Sequence, residues 1–146
     1  MTTTADSLLA RFRTWALLLL ALSLAGTLVE LLLIGHWDGW QQWVPLGLLG
    51  SSLVTVLAFL VRPWRALLPV VRTLCVALAL AGAAGSWLHF DGNAEFERES
   101  VPDIGGRALF TAAITGATPV LAPGSLLTFA LLGLLALHRH PVGARD

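Results

Sequence analysis

The sequence predicts an all-α integral membrane protein, a four-helix bundle with a short interfacial helix, on three observations. Apolar residues make up 56% of the chain and charged residues 12%, with a mean hydropathy of +0.78, so polar groups cannot cover a water-exposed surface. The apolar residues gather into runs that each suit a crossing of about 20 residues, and four crossings with short connections use most of the 146 residues as a single domain. The only long polar island, Ser86 to Asp103, carries most of the acids. All nine basic residues are Arg and none forms a patch able to neutralise several phosphates, which argues against nucleic acid as a partner. The lone Cys75 has no cysteine to pair with.

The first span is predicted over about 13–35, after a polar lead and the pair Arg11 and Arg13. Ser23-Leu24-Ala25 before Gly26 resembles a signal-peptide cleavage site, but the apolar run continues to Ile34, which is the length of an uncleaved helix rather than a short leader. Glu30 is the one acid inside a predicted span. It has two readings: a carboxylate reaching the interface, or one facing the bundle as an ion or proton site. The connection Gly35 to Trp43 is dense in Trp, the residue of the headgroup level, and Asp38-Gly39 turns the chain.

The second span is predicted over 44–61, with Pro45 in its first turn, and it ends at Arg62-Pro63-Trp64-Arg65. The third covers 66–88, with Pro69 in the first turn and Arg72 extending back to the interface. Ala77, Ala81 and Gly85 recur at helical spacing and predict a smooth packing face, with Gly47 and Gly50-Ser51 on the second span as its partner surface. Residues 89–117 are expected to form an outer acidic loop followed by an interfacial helix from Gly106 to Gly116. The last span covers 122–138, entered through Pro119 to Gly124 and ended by His138-Arg139-His140-Pro141.

Arg11, Arg13, Arg62, Arg65, Arg72, Arg139 and Arg145 fall on one side of these spans and only Arg98 and Arg107 on the other, so both termini are expected in the cytoplasm. The opposite face carries Asp38, Asp91, Glu95, Glu97, Glu99 and Asp103, an acidic surface that attracts cations and basic partners.

Two outer connections begin alike, His36-Trp37-Asp38-Gly39 and His89-Phe90-Asp91-Gly92. One reading is a helix end, an interfacial aromatic and a turn, repeated. The other is a divalent metal held by His36, Asp38, His89 and Asp91, imidazole and carboxylate being suitable ligands at one depth. The run Asp91, Asn93, Glu95, Glu97 imitates a calcium loop, yet Phe96 and Pro102 stand where that loop needs its glycine and its bidentate acid. No nucleophile elbow, zinc-protease helix or phosphate-binding glycine loop occurs, so no catalytic residue and no cofactor is assigned.

The segment His89-Phe-Asp-Gly-Asn93-Ala-Glu95-Phe-Glu97, with the later Thr115-Gly-Ala-Thr-Pro119-Val-Leu-Ala-Pro-Gly124, resembles a pattern of small, uncharacterised bacterial multi-pass membrane proteins. The resemblance implies an inner-membrane, four-span architecture and carries no activity. The expected function is therefore that of a non-enzymatic accessory or subunit protein whose acidic outer face meets a partner membrane protein or a second copy. The alternative is a carrier of small solutes or ions, or a metal-binding protein, using Glu30, His36, His89 and the loop acids.

Overall fold

A computed structural model describes residues 4–143 of the protein. Among them the structure is helical, with α1 (Thr4–Leu33), α2 (Trp40–Val61), α3 (Leu67–Ser100), α4 (Gly106–Ile114) and α5 (Ser125–Ala136), and a short 3-10 turn at Ala122–Gly124 leading into α5. Three helices, α1, α2 and α3, are long and apolar enough to cross a membrane. Most of their large apolar side chains remain outward, among them Leu22, Val54, Val61 and Leu80, each more than 65% exposed. Helices that are apolar on every side are matched to lipid rather than to water, and this is the pattern of a membrane protein.

Backbone chemistry sets the ends. α1 closes on Gly35, whose φ of +70° is open to glycine at little cost. The His36 N–H donates to the Leu31 carbonyl at 2.9 Å and the Gly35 N–H to that of Leu32 at 3.3 Å, the paired bonds of a Schellman ending. α2 begins earlier than its apolar run predicts. Gly39 is extended and the Gln42 side chain accepts the Asp38 N–H at 2.7 Å, so the Trp-rich connection adds a turn and Pro45 lies inside the helix, past its first turn. Proline there removes one intrahelical bond, which this turn of α2 goes without.

The larger difference is in α3. Residues 89–100, expected as part of an acidic loop, continue the helix to Ser100. Its 34 residues at about 1.5 Å each reach roughly 51 Å, well beyond a hydrocarbon core of about 30 Å. The polar island is thus largely a helical arm. Only 101–105 is a connection before α4, which packs on that arm.

α3 is the axis of the fold. It packs most extensively on α5 and also on α2, while α1 packs on α2 and α5. The buried core is drawn from these four helices, including Leu20, Leu24, Leu49, Phe59, Val71 and Leu78. The small-residue face of α3 follows the expected stripe in part: Ala81 packs against the core, and a Cβ on Gly85 would lie 2.8 Å from the Pro123 Cβ. Val71, Cys75, Leu78 and Gly82 are buried, and a Cβ on Gly82 would lie 2.9 Å from the Pro123 carbonyl oxygen. The smooth surface therefore receives the turn into α5, not α2, and Gly47 and Gly50 face open space. Proline at 123 keeps that turn stiff and short of one donor, so it can lie directly on bare helix backbone.

Candidate functional site

At the end of α3 that carries the acids, one side of the helical arm is buried and the other faces out. Asn93 and Ala94 are buried, whereas Asp91, Glu95 and Glu99, one turn apart from each other, are exposed. The buried side is held by an amide. Asn93 Nδ2 donates to the carbonyls of Ala113 and Thr118, both at 2.8 Å, and its Oδ1 accepts the Thr118 N–H at 3.1 Å. One side chain thus satisfies backbone groups at the end of α4 and in the loop beyond it, of which the Ala113 carbonyl is buried. Gly116 lies against the same amide, where any Cβ would collide. One turn earlier, His89 Nδ1 bonds the Pro119 carbonyl at 2.8 Å. A carbonyl only accepts, so this nitrogen carries a proton and only Nε2 is left for any other ligand. Trp87, Phe90 and Phe110 form a chain of ring contacts at 6.0 and 5.8 Å, tying α3 to α4.

The expected site residues are distributed as follows. His36 is half-buried in the α1–α2 connection, where burial and the charge of His89 lower its pKa from 6.5 more than Asp38 raises it. His36 and His89 are therefore electrostatic neighbours. Asp38 and Asp91 are exposed, and among the described residues no three His, Cys, Asp or Glu side chains gather as a metal-ligand group. Glu30 is exposed on α1 rather than facing the core. Glu95 is exposed and Glu97 half-buried on the arm. Of the residues singled out, Asn93 and His89 have the clearest structural work, joining the two segments 89–97 and 115–124.

A second polar cluster, at the opposite end, was not anticipated as a unit. Arg13 from α1 donates to the carbonyls of His138 and Arg139 at 3.0 and 3.1 Å, and Arg72 from α3 donates to that of Leu137 at 3.0 Å. These carbonyls follow directly on the last turn of α5, where cations complement its dipole. Beside them His140 meets the Phe59 ring edge-on at 5.2 Å, and burial together with the charges of Arg13 and Arg72 lowers its pKa from 6.5. The sequence showed that Arg72 could reach an interface. It did not show that a helix end waited there. Arg145, counted with this face, lies outside the described residues.

Comparison with known protein families, with curated proteins and with solved structures returned no match.

Proposed function

We propose that this chain is a four-crossing protein of a bacterial inner membrane, with both termini cytoplasmic, and that it serves as a non-enzymatic accessory or subunit protein. In this reading α5 makes the fourth crossing. Its 12 residues span about 18 Å, and the 3-10 turn before it adds about 6 Å, so the crossing is completed by the partly immersed Pro119–Gly124 segment. α4 lies in the interface, with Phe110 and Ile114 outward toward lipid. The arginine imbalance between the two ends supports the orientation.

The observation that carries the partner reading is the α3 arm. Asp91, Glu95 and Glu99 follow each other at helical spacing on its exposed side, while Asn93 fixes the other side to α4 and the following loop. A rigid acidic ridge held beyond the membrane is suited to a basic surface on a partner protein, steering it in a salt-dependent manner. Extraction in a mild detergent is expected to recover the protein with a stable companion. Glu95→Lys with Glu99→Lys should release that companion without altering the helical circular dichroism. Recovery of a solitary chain under gentle, low-salt conditions would overturn the reading.

A further inference from the structure

The arginine end contains more than a helix cap. A cavity of about 740 Å³ opens between the α2–α3 connection, the first turns of α3 and the chain after α5. Arg65, Arg72, Arg139 and His140 line it together with Leu68 and Pro69, and no carboxylate lines it among the described residues. We propose that this cavity binds the phosphate of an anionic phospholipid headgroup, with Arg72 and Arg139 as donors and Leu68 and Pro69 as the wall for the glycerol and first acyl carbons. The proposal rests on the membrane reading above, since the headgroup is presented only if these helix ends lie at a bilayer surface.

Four features support an anion here. Guanidinium groups match phosphate oxygens in a planar, two-point geometry that an ammonium lacks. The hydrogen bonds of Arg13 and Arg72 go to neutral carbonyls, which orient the side chains without cancelling their charge. Burial first, and then the charges of Arg13 and Arg72, lower the pKa of His140, which places this lining residue within reach of the same positive groups. The N-terminus of α3, the positive end of its helix dipole, begins at Leu67 on the cavity's rim and adds to that field.

Arg139 adds a conformational argument. Its φ is +46°, in the left-handed region where glycine is at ease and a side chain is strained. The fold nonetheless holds an arginine there, on the cavity wall, and such strain gathers where a side chain serves a ligand.

The choice of a lipid over a free anion follows from the other half of the cavity. Inorganic phosphate has no use for the Leu68 and Pro69 wall, whereas an amphiphile does. The nearby Arg62 guanidinium stacks over the Trp64 ring at 4.8 Å, and tryptophan marks the headgroup level at which such a lipid is offered.

The full chain in neutral detergent micelles provides the test, with melting temperature as the readout and added phosphatidylglycerol, phosphatidylcholine or inorganic phosphate as probes. Phosphatidylglycerol is expected to raise the midpoint by about 3 °C or more, and the other two to leave it in place. Arg139→Gly should retain or raise the midpoint without lipid, because it relieves the strained φ, while losing most of the lipid shift. Arg139→Gln, which keeps the strained φ but removes the guanidinium, should reduce the shift as well, and Arg107→Gln at the far end should preserve it. An equal shift with phosphatidylcholine, an equal shift with inorganic phosphate, or a full shift in both cavity variants would each overturn the proposal. Alkaline carbonate extraction reads membrane insertion separately, so loss of the headgroup site and loss of the membrane reading are distinguishable.

Discussion

The two ends of the helical core hold α5 and its approach by opposite chemistry. At the acidic end a neutral amide, Asn93, and one imidazole, His89, reach from α3 to carbonyls in the segment that leads into α5. At the basic end two guanidiniums, from α1 and α3, reach the carbonyls that end it. The Asn93 amide is buried, 5% exposed, and so is its partner Ala113, whereas Thr118 is exposed. At the basic end Leu137, the partner of Arg72, is buried, while His138 and Arg139 are exposed and water can replace a lost donor there. The neutral clamp puts three bonds on one buried side chain and the charged clamp divides three between two guanidiniums, so a single loss should cost more at Asn93, because the cost is set by what is left unsatisfied.

Breaking the neutral clamp gives the largest expected effect. Asn93→Ala leaves two carbonyls and one N–H without their partner and should lower unfolding stability in detergent by about 2 to 4 kcal/mol. Arg72→Met, which keeps the stem of the side chain but not its donors, should cost about 1 to 2 kcal/mol in a neutral detergent. A larger loss for Arg72→Met than for Asn93→Ala would reverse the comparison.

Acid sharpens it further. His140 and His36, one near each end, both have pKa values lowered from 6.5 in the fold, so protonation favours the unfolded chain. Their contribution is fully present above pH 6.5 and is lost as pH falls through the lower folded values. The melting temperature should be lower at about pH 5.5 than at about pH 7.5. His140→Phe should flatten part of that slope, and an unchanged slope in His36→Phe, His140→Phe would contradict the assignment.

The smallest effect belongs between the two ends. Ser52 is buried in α2 and its Oγ has no hydrogen-bond partner among the described residues, unlike Ser51, which donates to the Gly47 carbonyl at 2.8 Å. Ser52→Ala should therefore change stability by no more than about 0.5 kcal/mol or be mildly stabilising, read by the same unfolding assay.

The long apolar helices were legible because length and composition alone identify them. The acidic arm is not legible in the same way for a physical reason: in a membrane protein, polarity reads as the end of a crossing, but a helix can leave the bilayer and continue. Helical spacing marks the arm, since Phe90, Asn93, Ala94 and Glu97 make one face and Asp91, Glu95 and Glu99 another. Gly35 after Ile34 likewise marked the end of α1, in the position of a helix-ending glycine. What no spacing could supply was the partner of each clamp. Asn93 meets Thr118 across 25 residues and Arg13 meets His138 across 125, so both contacts depend on how the helices pack.

Thiol labelling in intact cells tests the central claim most directly, that the two clamps lie on opposite faces of a membrane with the arginine clamp inside. Single cysteines replace Glu95 and Val142, and the parent chain, whose Cys75 is buried, serves as the control. A membrane-impermeant maleimide should modify the cysteine at 95 from outside and reach the one at 142 only after the membrane is opened. Labelling of both from the same side, or of 142 alone in sealed cells, would contradict the account.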